Sequence, residues 1–168
     1  MKIHLLILLL LQIFAAALPA TPVKKLNDFE LTDQNAHTRA YRFPKTKVTV
    51  MTVADHKGSD QLAPWIQWVH DRYQKKIDID GVADVSSIPK PFRDLFRAAF
   101  RKQLTYSVML DWTGSVVEQF GYTKGVANLY VIDRAGRVLK QFRGPVSDAA
   151  AHELAREIDR AITGISEK

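Results

Sequence analysis

The sequence predicts an α/β fold, a central mixed β-sheet flanked by helices, and three observations carry that expectation. Apolar residues recur with a period of two in some segments and at spacings of three and four in others, giving the order β-α-β-α-β-α-β-β-α after a short entry segment. The last two strand-like runs are separated only by Arg134-Ala135-Gly136, a hairpin signal that makes part of the sheet antiparallel. The composition, 46% hydrophobic and 25% charged over 168 residues, is that of one globular domain rather than a disordered chain.

The chain opens with Met1-Lys2-Ile3-His4, followed by a nearly unbroken apolar run from Leu5 to Leu18 and then small residues to Ala20. A cationic start, an apolar run and a small-residue zone predict a secretory signal peptide over residues 1–20. Cleavage after Ala17 and after Ala20 are both compatible with the flanking residues. The run is shorter than the roughly 20 residues that span a bilayer, although an uncleaved N-terminal anchor is the rival reading. Residues 21–168 form the expected domain.

Within that domain, Phe29-Glu30-Leu31 reads as a short strand entering a turn at Asp33-Gln34-Asn35. Lys47 to Ala54 is rich in β-branched residues and apolar enough to be buried on both faces, which suits a central strand. Asp55 to Asp60 is a polar loop. A helix follows from about Asp60 to Lys76, with Leu62, Trp65, Ile66, Val69 and Tyr73 on one face and Pro64 tolerated in the first turn. Trp65 fits the core stripe, and Trp68 falls at its edge. Ile77 to Ser86 alternates as a strand, Pro89-Lys90-Pro91 closes it, and Phe92 to Gln103 forms the second helix. Ser107 to Asp111 is a short strand, and Thr113 to Phe120 is a short helix capped near Thr113 and stopped by Gly121. Val126 to Asp133 and Arg137 to Arg143 make the hairpin. Ser147 caps a last helix, with Ala151, Leu154, Ala155, Ile158 and Ile162 on one face, and Gly164 ends it.

Composition excludes several classes of chemistry. With no cysteine, the chain builds no disulfide, thiolate nucleophile, cysteine-ligated zinc or iron–sulfur cluster. Thiol oxidoreductase and thiol peroxidase activities are therefore outside its reach. His37, His56, His70 and His152 are scattered without metal-ligand spacing, so no metal site and no cofactor are expected. A formal charge of +6 and a pI near 9.6 are a mild attraction to anionic surfaces. Glycine-rich phosphate loops and nucleic-acid motifs do not occur, and no nucleic acid partner is expected.

Two segments carry candidate chemistry. In the loop after the central strand, Asp55, His56 and Ser59 are candidates for catalysis, with His56 as base and Ser59 or an aspartate as nucleophile or orienter. Lys57 and Asp60 are candidates for binding, because the start of a helix favours a small anionic ligand. The plainer reading makes these solvated residues with Ser59 or Asp60 as the cap of the next helix. The second segment is residues 90–102, where Phe92, Phe96 and Phe100 form one stripe and Arg93, Arg97 and Arg101 the next, with Lys90 and Lys102 at the ends. Five cations stand against the single Asp94. A basic amphipathic helix of this kind either packs its phenylalanines on the sheet with a solvated arginine face, lies on an anionic membrane surface, or holds a protein partner. Charge reversal at Arg93 and Arg97 is expected to weaken partner binding and leave the fold intact. Trp112, in the turn 111–114, is a candidate for stacking on a ligand.

The order of elements, together with Leu110-Asp111-Trp112-Thr113-Gly114, Phe120-Gly121-Tyr122 and the stretch Gly125 to Val138, resembles the thioredoxin-like fold of the redoxin and peroxiredoxin group. The resemblance implies a redox centre in the loop between the first central strand and the long helix. Aligned on Pro64 that position is His56-Lys57-Gly58-Ser59; aligned on the strand it is Lys57-Gly58-Ser59-Asp60; neither offers a thiol. The cis-proline that faces the redox centre in the group is matched by Ala127, which makes Ala127 a candidate binding position. Ile88-Pro89 and the polar loop after Lys47-Val48-Thr49-Val50 are similar to exported, cysteine-free redoxin-like proteins of Gram-negative envelopes. The expected function is thus a non-redox binding or adaptor role in the bacterial envelope, periplasmic or secreted, with an envelope protein or small anionic ligand as partner. The alternative is a non-thiol enzyme using Asp55, His56 and Ser59.

Overall fold

The computed structural model describes residues 24–164; the expected signal peptide lies outside them. Seven strands form one mixed sheet: β1 (Phe29–Asp33), β2 (Thr38–Tyr41), β3 (Thr49–Ala54), β4 (Asp78–Asp84), β5 (Met109–Asp111), β6 (Asn128–Ile132) and β7 (Val138–Arg143). Their order across the sheet is β2-β1-β5-β4-β3-β6-β7. β3, β4 and β5 run parallel, while β1, β2, β6 and β7 supply the antiparallel edges. The central position of β3 explains its composition, since every residue of Thr49–Ala54 is buried.

The helices are α1 (His56–Ser59), α2 (Leu62–Tyr73), α3 (Arg93–Gln103), α4 (Ser115–Phe120) and α5 (Asp148–Thr163). On one face of the sheet, Met51, Val53, Met109 and Tyr130 pack with Val116, Val117 and Phe120 of α4. On the other, Val50, Leu129 and Val131 pack with Trp65 and Val69 of α2 and Leu154 and Ile158 of α5. Buried polar tips in this second core find partners: Trp65 Nε1 donates to the Gly144 carbonyl (2.9 Å), and the Tyr73 hydroxyl reaches the Ala155 carbonyl (3.1 Å) and Asp159 (3.0 Å). Ser147 and Gly164 cap α5 as expected, the serine Oγ accepting from the Ala150 N–H and the glycine taking φ +72°.

Several local expectations are corrected. β2 was not foreseen. The polar loop after β3 is a single helical turn, α1, whose cap is Asp55 rather than Ser59 or Asp60 standing before the long helix. Gln61 precedes α2 and makes no side-chain cap bond to it. The short helix α4 starts at Ser115 after Gly114, and the capping role expected of Thr113 is taken by Asp111: its carboxylate accepts N–H groups from Thr113, Gly114, Val116 and Val117 at 2.8–3.1 Å. The later strands are shorter than their sequence patterns, whereas β1 runs on to Asp33, past the expected Phe29–Leu31.

Candidate functional site

β3, β4 and β5 all present an aspartate at their carboxyl ends: Asp55 just past β3, Asp84 and Asp111 as the last residues of β4 and β5. Each carboxylate is occupied by donors of the same chain. Asp55 Oδ1 accepts from the Gly58 N–H (2.8 Å) and Oδ2 from the Gly125 N–H (2.9 Å), strapping α1 to the segment before β6. Asp84 Oδ1 accepts from the Ser86 N–H and hydroxyl (3.0 and 2.6 Å), and Oδ2 from the Tyr122 hydroxyl. Burial alone raises the Asp84 carboxyl, but the hydrogen bonds from Ser86 and Tyr122 and the nearby Lys124 charge outweigh it and hold its pKa below the ordinary 3.8. The same pairing works in reverse on Tyr122, whose phenol is raised by burial and by the Asp84 charge.

Gly58, in the segment that the resemblance aligns with a redox centre, is tightly packed. Gly58 lies against the backbone of Val126: a Cβ added there would run into the Val126 carbonyl oxygen, 2.7 Å from its carbonyl carbon and 3.1 Å from its nitrogen. That carbonyl is pinned by Asn128 Nδ2 (2.9 Å), which also bonds the Thr123 carbonyl (2.8 Å). The Val126–Ala127 peptide is trans, and the Ala127 N–H, which a proline would lack, donates to Gln61 Oε1 (3.2 Å). Ala127 itself is fully buried in the apolar core beside Trp65 and offers no surface.

The catalytic candidates are not assembled. The Ser59 hydroxyl donates to the His56 backbone carbonyl (2.6 Å), not to the His56 ring, and His56, Lys57, Ser59 and Asp60 are all exposed. Among the described residues the His56 ring makes no hydrogen bond or ion pair. Asp55 faces the Gly58 and Gly125 amides instead of orienting an imidazole. The aspartates at this end of the sheet tie α1 to the Gly125 amide, Ser86 to Tyr122, and the end of β5 to the start of α4.

The structure does bring together three residues that the sequence singled out separately. The guanidinium groups of Arg93 and Arg97 stack over the Trp112 ring at 5.1 and 5.8 Å from its centroid, and Arg93 donates to the Trp112 carbonyl (3.2 Å). Arg93 and Arg97 therefore face the body of the protein, Arg101 beyond them is exposed, and of the phenylalanine stripe Phe100 alone is half-buried. Phe92, Leu95 and Phe96 are 52%, 68% and 42% exposed, and no residue of α3 is buried. This inversion also corrects the expectation that reversing Arg93 and Arg97 leaves the fold untouched, since both help to seat the helix. Arg93 Nε, Arg97 Nε and Trp112 Nε1 are buried without partners, so α3 is held by stacking more than by hydrogen bonds. At its far end Arg101 reaches the Gln34 carbonyl (3.5 Å), and the Gln34 amide fixes the chain leaving α3 through Tyr106 and Val108.

Sequence reasoning missed Gln61, Asp84, Tyr122 and Asn128. A signal for one of them was present: Val53-Ala54-Asp55 and Val82-Ala83-Asp84 repeat the same apolar-apolar-Asp ending on two neighbouring strands.

No protein-family model and no curated protein matches the chain. Solved structures do. An exposed lipoprotein thioredoxin, Etrx1 of Streptococcus pneumoniae, superposes with a TM-score of 0.62 at 19% identity, over 78% of this chain and 99% of its own. A protein described as the thiol:disulfide interchange protein DsbE of Chlorobium tepidum gives 0.61 at 20% identity, over 83% and 96%. A Neisseria meningitidis protein described as a thioredoxin gives 0.61 at 20%, over 87% and 94%. Likeness at one-fifth identity establishes architecture and says nothing of chemistry. The chain has a thioredoxin-like fold, built without a single cysteine.

Proposed function

We propose that this chain is a non-redox binding or adaptor protein of the bacterial envelope, delivered by its N-terminal segment to a periplasmic or secreted location, and that it binds through α3. The observation that carries the reading is the inverted helix. Arg93 and Arg97 turn to Trp112 while Phe92, Leu95 and Phe96 are given to water, and such an exposed apolar face marks an interaction surface. The close approach of Val126 to Gly58 supports the same reading, because it leaves no room for a side chain at that position of the loop after β3. Export is supported by the cationic start and apolar run of residues 1–18 and by the naming of one structural neighbour as an exposed lipoprotein.

Native mass spectrometry of the protein gently released from its own envelope fraction tests this. The reading expects a bound species on the wild-type chain that is lost from Leu95→Asp, a change at an exposed position. The intact mass also reports whether residues 1–17 or 1–20 have been removed. A bare wild-type chain, or a species that stays on Leu95→Asp and leaves on His56→Ala, would move the function back to the loop after β3.

A further inference from the structure

We infer that the occupant of the α3 face is an anionic lipid surface, with the helix lying flat on it; this rests on the reading of α3 as the binding face. The apolar part is a convex ridge rather than a groove. Phe92 at the helix start and Leu95 and Phe96 on α3 are exposed, no residue of α3 is buried, and Phe100 on the same stripe is half-buried. Eleven residues of helix extend about 16 Å, enough to lay two to three turns along an interface. No helix among the described residues is long and apolar enough to cross a membrane, so the contact is peripheral.

Charge selects the kind of surface. Some cations of the protein meet carboxylates, Arg39 with Asp80, Lys45 and Lys47 with Asp78, Arg137 with Asp133 and Lys140 with Glu153. Of the five cations between 90 and 102, Arg93 and Arg97 turn to Trp112, while Lys90, Arg101 and Lys102 are exposed with the single carboxylate Asp94; among the described residues none of the five is ion-paired. Lys90 and Lys102 are exposed at the two ends of the ridge, placed to reach phosphate groups while the phenylalanines enter the apolar layer. A second copy of the chain does not suit this face, since apposing two such helices would bring together two net charges of the same sign. A flat surface that is both apolar and negative does. The apolar run from Leu5 to Leu18 is in keeping with a chain that meets a membrane on its route.

Vesicle co-sedimentation tests the inference, using the chain from Thr21 onward, which carries every described strand and helix. Vesicles of phosphatidylcholine alone are compared with vesicles containing phosphatidylglycerol. The expected result is binding to the anionic vesicles only, weakened by salt. Leu95→Asp and Phe92→Ser should each lower partition by roughly tenfold or more, the cost of withdrawing one large apolar side chain from the interface. Lys90→Glu with Lys102→Glu should lower it by at least about tenfold, since each cation near an anionic surface contributes about a fivefold factor. Equal binding to both vesicle types, no binding to either, or wild-type binding by both Leu95→Asp and Phe92→Ser overturns the inference. If native mass spectrometry instead finds a protein held on α3 in lipid-free solution and released by Leu95→Asp, the lipid occupant is wrong and the binding role of α3 stands.

Discussion

Replacing Gly58 by alanine tests, by the sign of its effect on stability, whether the Val126 backbone leaves room for a side chain at this position. Gly58 sits in α1 with an ordinary negative φ, so backbone conformation alone favours the change. On an open helical turn, Gly→Ala stabilises by about 0.4–1 kcal/mol, through the smaller conformational freedom of the unfolded chain and the better helix propensity of alanine. Here the new methyl would run into the carbonyl of Val126, and Val126 cannot easily retreat. Asn128 holds its oxygen, Asp55 holds the preceding Gly125 N–H and Gln61 holds the following Ala127 N–H. Moving that segment away gives up one or two of these bonds, about 1 kcal/mol each and more for the one to the carboxylate, in addition to an overpacking cost of 1–3 kcal/mol. The net expectation is a loss of about 3 kcal/mol, or roughly 6–12 °C in Tm for a domain of this size. Urea unfolding followed by tryptophan fluorescence measures it, since Trp65 is fully buried. Ser59→Ala, on the exposed side of the same turn, serves as the control and should move stability by less than about 0.5 kcal/mol beyond the loss of its local bond. A Gly58→Ala protein as stable as the wild type, or more stable, would show that the Val126 backbone leaves room for a side chain there.

Two further outcomes follow from the same geometry. The Asp84 pKa is depressed in the folded state, so its contribution to stability is complete above the unfolded value near 3.8 and is lost as pH falls through the lower folded value. Tyr122→Phe removes one of the bonds that depress it; stability at neutral pH should fall by about 1–2 kcal/mol, and the loss on acidification below pH 4 should become shallower, as read from urea midpoints across pH. An unchanged acid limb would mean that Tyr122 does not bear on Asp84. Trp112→Ala removes the ring on which Arg93 and Arg97 stack, worth about 1–3 kcal/mol together, and should raise hydrogen exchange across α3 well before the central strands respond. Exchange in α3 that matches the wild type would show that something other than Trp112 seats the helix.

Much of the architecture was legible because it depends on local pattern. The uniformly apolar run ending at Ala54 is the buried central strand, Asp133 to Arg137 is a tight hairpin turn with Gly136 at φ +87°, and Ser147 and Gly164 bound the last helix. What escaped depends on which surfaces meet. β2 is four residues with only Tyr41 buried, too short and too polar at the sheet edge to leave an alternating signature. The periodicity of residues 92–103 fixes the angle between the phenylalanine and arginine stripes but not which one turns inward. In the structure Arg93 and Arg97 meet Trp112, which lies on a different element, and that meeting cannot be read from the spacing within residues 92–103. The closure at Gly58 is likewise a meeting of distant segments. Its trace in the sequence is a glycine inside a helical turn, a position where close backbone approach is one of the few reasons to omit a side chain. The catalytic reading of Asp55, His56 and Ser59 was open only because their side-chain bonds, to Gly58, Gly125 and the His56 carbonyl, are invisible in the order of residues.

The central proposal is that recognition takes place on the outer face of α3 and not in the loop after β3. It is tested most directly by placing a photo-crosslinking amino acid at Leu95 in one protein and at Lys57 in another, both exposed positions, and irradiating each in its native envelope. The account predicts adducts from position 95, to lipid or to a discrete partner, and none of comparable yield from position 57. Adducts concentrated at position 57, with position 95 silent, would contradict it.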